Sequence, residues 1–106
     1  MSGFEDREKG YERKFERDQE VAFKVRARRN HLLGKWAAEQ LGLQGAAAEA
    51  YARELADPGK HLHGDEELVN KIAGDFAAKA VKLDAARIRL EVERFTAEAR
   101  KAFSAS

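Results

Sequence analysis

Apolar residues that recur every three or four positions constrain the fold of this chain more than any other feature of its sequence. The most regular series lies near the C-terminus, with spacings of four, three, four and four residues. It consists of Ile88, Val92, Phe95, Ala99 and Phe103. This spacing keeps the side chains on one face of an α-helix, which has about 3.6 residues per turn. The pattern therefore predicts a helix with one apolar face that packs against other helices.

The composition also favours an all-α fold. The 106 residues are 43% hydrophobic and 37% charged, are rich in Ala, Glu, Lys and Arg, and include one Pro. Such a composition is typical of helices, and the length suits one domain with a small core. Cys is absent, so no disulfide can form, and a reducing compartment such as the cytoplasm is the default expectation.

Two further helices are predicted in the first half of the chain. One spans about residues 21–41, and Gly42 follows it as a left-handed terminator. Its predicted apolar face consists of Val21, Val25, Leu32 and Trp36. The next spans residues 46–56, where the many Ala residues suit close packing against a neighbour, and residues 57–59, Asp-Pro-Gly, end it.

The second half of the chain adds a third helix before the C-terminal one. It starts at Gly64 or Asp65, and its buried face is predicted to hold Leu68, Val69, Ile72 and Phe76. Asp84 is expected to cap the last helix. Four helices with short connections imply a four-helix bundle. Its interior is predicted to contain Trp36, Phe76, Phe95 and Phe103.

The first twenty residues differ from the rest of the chain in their charge. They contain seven acids and five bases but only three aromatic residues, which are Phe4, Tyr11 and Phe15. Gly10 and several like-charged pairs four residues apart make an isolated helix marginal here. Two interpretations remain open: a solvated, frayed terminus, or a flexible arm that becomes helical when a partner covers the aromatic side chains.

Several function classes are disfavoured by the sequence. No apolar run is long enough for a secretory signal or a membrane span, and a net charge of +1 gives little drive toward nucleic acid. Neither a phosphate-binding glycine motif nor a Ser, His and Asp grouping is present, so an enzyme is not expected. His61 and His63 could share an ion, but zinc normally takes three or four ligands, so no metal is expected either.

The first predicted domain helix carries a basic block. Its Arg26, Arg28 and Arg29 could bind phosphate through bidentate hydrogen bonds. Alternatively, they pair with carboxylates of neighbouring helices. The second functional hypothesis is therefore a helical sensor domain that binds ADP or ATP through residues 26–35, and no other cofactor is expected.

Three segments of the sequence together resemble the ζ subunit family of alphaproteobacterial rotary ATP synthases, small helical proteins that inhibit ATP hydrolysis. They read FEDREKGYERKF, FKVRARRNHLLGKWAAEQLGL and AAAEAYARELA. The resemblance is most specific in RRNHLLGKWAAEQLG and continues more loosely through the predicted third and fourth helices. It implies an inhibitory subunit with a four-helix domain and a mobile N-terminal segment.

Carried onto this sequence, the resemblance implies an inhibitory arm at residues 1–19 and a four-helix domain at residues 20–106. The arm would enter the interface between the catalytic α and β subunits beside the central γ shaft, become helical there and block rotation in the hydrolytic direction. The protein would be cytoplasmic and peripheral at the inner membrane through the ATP synthase. The arm residues expected to contact this partner are Phe4, Arg7, Tyr11, Phe15 and Arg17.

Overall fold

The computed structural model describes the backbone of residues 2–57 and 64–104 and the side chains of residues 19–57 and 64–103. Over this part of the chain the backbone forms four α-helices and no strand. The helices are α1 (Ser2–Gln40), α2 (Gly45–Ala56), α3 (Asp65–Ala78) and α4 (Ala85–Ser104). The predicted all-α, four-helix fold is confirmed.

The first helix is longer than the sequence pattern predicted. α1 has 39 residues and begins at Ser2, whereas the apolar spacing placed the start of a helix near Val21. At about 1.5 Å per residue this helix is about 58 Å long. The predicted arm therefore falls in the first half of α1, and its proposed contact side chains lie outside the described ones.

α1 ends at a Schellman motif, in agreement with the role predicted for Gly42. This glycine has a φ of 78°, a left-handed conformation that a residue without Cβ adopts at no steric cost. Its N–H donates to the carbonyl of Glu39 at 3.1 Å, and the N–H of Leu43 donates to the carbonyl of Ala38 at 2.9 Å. These two bonds satisfy carbonyls that the helix end would otherwise leave unpaired.

α3 ends in the same way without a glycine. Ala80 has a φ of 58° and donates its N–H to the carbonyl of Ala77 at 3.2 Å. Val81 donates to the carbonyl of Phe76 at 2.9 Å. The turn therefore holds a Cβ in the left-handed region, which costs roughly 1–2 kcal/mol relative to glycine.

α4 begins at the predicted cap. The N–H of Arg87 donates to Oδ1 of Asp84 at 3.0 Å, the bond expected of an N-cap carboxylate. Leu83, just before the cap, packs against the core, and Ile88, four residues after the cap, is fully buried within it, the arrangement of a hydrophobic staple.

All four helices contribute to one hydrophobic core. Its largest fully buried side chains are Phe76, Leu33, Leu55, Leu68, Ile72, Ile88 and Val69. Of the four aromatic residues predicted to fill the interior, Phe76 and Phe95 are buried, whereas Trp36 and Phe103 are half-buried. Trp36 meets the ring of Phe76 edge to face, with centroids 5.8 Å apart.

The buried face of α1 is rotated from the predicted one. Val21 is exposed and Leu32 only half-buried, whereas Leu33 and Ala37 are fully buried, so the predicted face was wrong at its first position and off-centre beyond it. The cause is close packing with α2, because a Cβ on Gly34 would lie 2.7 Å from the Cα of Ala52. Small residues let the two helix axes approach on this side, and α2 then covers it.

Candidate partner-binding site

Arg29 anchors α1 to the start of α3. Its side chain is only 7% exposed, and its guanidinium donates to both carboxylate oxygens of Asp65, at 2.9 and 3.2 Å. Nε and Nη2 also donate to Oδ1 of Asn30, at 2.9 and 2.7 Å. A buried charge is tolerated only when it is paired and hydrogen-bonded, and these four bonds meet that requirement.

The three arginines of the predicted phosphate site do not meet at one point. Arg26 lies beside Asp65, 3.9 Å from Oδ1, and its side chain is 58% exposed. Arg28 is exposed and lies about 100° around the helix from Arg29. A phosphate at Arg29 would have to displace the carboxylate of Asp65. Arg29 thus pairs with a carboxylate of a neighbouring helix, as the alternative interpretation predicted. Phosphate binding by the three arginines stays a prediction.

Beside these arginines lies a groove between α1 and α4, which we call the α1–α4 groove. It has a volume of about 670 Å³. Its lining consists of Gln19, Val21, Ala22, Phe23, Val25, Arg26, Arg29, Thr96 and Arg100. Two of its apolar residues, Val21 and Phe23, are 37% and 57% exposed.

Residues 19–24 of α1 are exposed, and Val25 is the first buried residue of the described part of this helix. From Val25 onward α1 is held by apolar packing and by the Arg29 pair. α1 therefore joins the hydrophobic domain to the N-terminal segment as one continuous helix.

A buried carboxylate on α4 was missed by the sequence analysis. Glu91 is 4% exposed and accepts hydrogen bonds from Arg87 at 3.2 Å and from Arg94 at 3.0 Å. The three residues are spaced by four and three positions along one helix, a signal that would have predicted the pairing but not the burial. The two arginines more than neutralise this carboxylate, and Arg94 also lies 3.8 Å from Glu98. None of these residues lines the α1–α4 groove.

A second missed cluster joins α2 to α3. The hydroxyl of Tyr51 donates to Oδ2 of Asp75 at 2.8 Å, and Nζ of Lys71 lies 3.1 Å from the same oxygen and 5.4 Å from the tyrosine ring centroid. Burial, together with the carboxylate of Asp75, raises the pKa of Tyr51 well above its usual value. The phenol is therefore a fixed hydrogen-bond donor that ties the two helices together.

The remaining sequence-based candidates lie outside the described residues. His61 and His63 fall in the gap between residues 57 and 64, and the five predicted contacts of the arm precede residue 19. Within the described ranges, no group of three or more His, Cys, Asp or Glu residues is placed to hold a metal ion. None of the helices, where described, is long and apolar enough to cross a membrane.

Comparison with known proteins identifies the family. A family model described as ATPase inhibitor subunit zeta matches residues 1–102, which include the predicted arm, the Arg29 anchor and nearly all of α4. Searches of curated proteins and of solved structures gave no match. The match covers almost the whole chain and agrees with the family that its sequence resembles. The chain belongs to the ATPase inhibitor subunit zeta family.

Proposed function

We propose that this protein inhibits ATP hydrolysis by a rotary ATP synthase through its N-terminal arm, residues 1–19. The arm enters the interface between the catalytic α and β subunits beside the γ shaft and blocks rotation in the hydrolytic direction. The observation that carries the proposal is the match to an ATPase inhibitor family, which includes the arm as well as the domain. The role is regulatory, and the protein is cytoplasmic and peripheral at the inner membrane through its partner.

The continuity of α1 supports this mechanism. A segment that blocks a rotating shaft must resist displacement, and a helix is a stiff element when one of its ends is firmly held. The C-terminal half of α1 is held by buried Leu33 and Ala37 and by the bidentate Arg29 to Asp65 pair. Force on the arm is therefore passed to a packed domain rather than to a loose linker.

The aromatic residues of the arm give it one apolar face. In a regular helix, positions 4, 11 and 15 fall within about 40° of one another. Phe4, Tyr11 and Phe15 are the proposed anchors in apolar pockets of the partner, since buried aromatic residues carry much of the energy of typical interfaces. Arg7 and Arg17 are the proposed partners of carboxylates at the rim of the interface.

The proposal is tested by replacing Phe4, Tyr11 and Phe15 together by Ala and assaying ATP hydrolysis by the purified cognate ATPase. If each aromatic anchor contributes about 1–2 kcal/mol, the concentration for half-inhibition should rise more than about 100-fold. The thermal transition of the domain should be nearly unchanged, because these residues precede the described core, which starts at Val25.

A matched control replaces Glu5, Glu12 and Glu16 by Ala. These residues belong to the same arm but fall on a different helical face, about 100° from the aromatic one. Inhibition should persist in this variant. Equal inhibition by the aromatic variant and the unmodified protein would contradict the proposed anchors, and absence of inhibition by the unmodified protein would contradict the function itself.

A further inference from the structure

We propose that the α1–α4 groove is a second docking surface, which binds an acidic, amphipathic helix of the ATPase head. This inference rests on the proposed function, because it assigns the groove to the same partner that the arm engages. Its occupant is specified by chemistry: apolar side chains that cover Val21 and Phe23, and carboxylates that pair with Arg26 and Arg100.

The positive charge of the groove indicates a partner that carries negative charge. Among the described residues that line it, three are arginines and none is acidic. Arg29 is neutralised by Asp65, whereas Arg26 approaches that carboxylate only at 3.9 Å and is mostly exposed. Arg100 is exposed and has no ion pair with any of the residues that the structure describes.

Arg100 is distinctive among the arginines of α4. The other three each pair with a glutamate: Arg87 and Arg94 with Glu91, and Arg89 with Glu66. A helix that otherwise pairs its arginines leaves a free guanidinium only at the groove. A carboxylate supplied by a partner would give Arg100 the pairing that its neighbours already have.

The exposed apolar residues of the groove favour a partner that covers them. Among the described residues, three large hydrophobic side chains are exposed, and Val21 and Phe23 of this groove are two of them. They are two positions apart in α1, so their side chains point about 160° apart and flank the depression on its two sides. A helix laid between α1 and α4 would contact them with its two flanks. An acidic residue on the rim of such a helix would reach the arginines.

The direction of the groove matches the aromatic face of the arm. In a regular helix, position 29 lies within about 40° of positions 4, 11 and 15. Arg29 faces α3 and lines the groove toward α4. A partner surface that covers the aromatic face of the arm therefore continues along the same side of α1 into the groove, so the two contacts form one extended interface.

The test uses the full chain with both Arg26 and Arg100 replaced by Glu, in an inhibition assay with the purified ATPase. The half-inhibition concentration should rise about tenfold, and the rise should shrink as salt is added, because the reversed charges act at the rim of an interface. The control replaces Arg53 and Lys82 by Glu. Both are exposed basic residues outside the groove lining and outside residues 26–35, so this variant has the same net charge as the test variant and should inhibit nearly as well as the unmodified protein.

A second pair of variants tests the apolar contact. Phe23→Ala removes a ring that is 57% exposed in the groove, and Leu90→Ala removes a side chain that is 61% exposed on the outside of α4. Only the first should weaken inhibition. A photo-crosslinking residue at position 23 should attach to an acidic segment of the ATPase head.

The outcomes separate the groove from the arm. If the unmodified protein inhibits and the Arg26 and Arg100 variant inhibits equally well, the groove proposal is wrong while the proposed function stands. Flotation with vesicles that contain phosphatidylglycerol distinguishes a lipid surface: binding that is lost in the same variant, without an effect on inhibition, would assign the groove to a membrane and overturn the proposal. If the unmodified protein does not inhibit, both proposals fail together.

Discussion

The same substitution at two helical glycines should change stability in opposite directions. Gly34 lies in α1 and Gly74 in α3, and neither has a positive φ. Ala in place of Gly inside a helix stabilises it by about 1 kcal/mol when space is available. A Cβ at Gly74 would meet nothing within 4 Å, so Gly74→Ala should stabilise the protein by about 0.5–1 kcal/mol.

At Gly34, by contrast, an added Cβ would collide with the backbone of α2. The added Cβ would lie 2.7 Å from the Cα of Ala52, 3.2 Å from Cδ1 of Leu55 and 3.3 Å from Cβ of Ala52. Because the nearest atom belongs to a helix backbone, α1 and α2 must move apart by several tenths of an ångström. Overpacking of this kind costs about 1–3 kcal/mol, which exceeds the gain in helix propensity. After the gain of about 1 kcal/mol in helix propensity, the expected net loss of stability is up to about 2 kcal/mol.

Urea unfolding monitored by circular dichroism, with the fluorescence of Trp36 as a second probe, measures both variants. The two free energies of unfolding should differ by about 1–3 kcal/mol, the cost of overpacking, which corresponds to a difference of roughly 4–24 °C in Tm for a domain of this size. Stabilisation of both variants to the same extent would refute the close packing of α1 against α2 at Gly34.

The remaining predictions concern the ends of two helices, the ionisation of Tyr51 and nucleotide binding. Ala80→Gly relieves the left-handed φ of 58° at the end of α3 and should stabilise the protein by about 1 kcal/mol in thermal unfolding; no gain would contradict this turn. Asp84→Ala removes the cap of α4 and should cost about 1 kcal/mol, whereas Asp84→Asn should restore most of it. The pKa of Tyr51 is raised in the folded protein, so the unfolded chain loses the phenol proton first as the pH rises. The contribution of this proton to stability is therefore complete below about pH 10 and falls above it. Tyr51→Phe should flatten the alkaline decline in the free energy of unfolding, and an unchanged slope would argue against the buried Tyr51 to Asp75 hydrogen bond. Calorimetric titration with ADP and ATP tests nucleotide binding by the basic residues of α1, and no heat up to millimolar ligand would exclude the sensor hypothesis.

Much of the fold followed from local sequence signals. The apolar spacing of α4 predicted the buried residues Ile88, Val92, Phe95 and Ala99, and only Phe103 at its end is half-buried. Gly42 and Asp84 were predictable as helix terminator and cap because each acts through its own backbone and nearest turn. Signals of this kind depend on a few neighbouring residues, so they predict local structure correctly whichever way the helices pack.

The rotation of α1 was not predictable in this way. Large apolar residues at positions 21, 32 and 36 favoured one face, but the glycine and alanines around position 34 allowed α2 to pack on another. The choice depends on how closely two helices approach, which is a property of the pair. The burial of Arg29 and Glu91 was missed for the same reason, since their burial depends on partners brought in by the tertiary fold.

The site is only partly determined by composition. The sequence indicated which residues are basic, but it did not show that Arg29 is already paired with Asp65. Nor did it show that Arg100, 71 positions further along the chain, lines the same groove as Arg29. A pairing across that separation leaves no periodic signal. The arm, by contrast, was predicted from its charge and its three aromatic residues together with the family resemblance, and both its bounds and its contacts remain predictions.

The most direct test of the account compares the full chain with a version that lacks residues 1–19 in the ATP hydrolysis assay. The buried core of the described residues starts at Val25, so the shortened protein should fold with a similar Tm. The full chain should inhibit hydrolysis by the cognate ATPase, and the shortened chain should not. Equal hydrolysis rates in the presence of the two proteins would contradict the assignment of the arm.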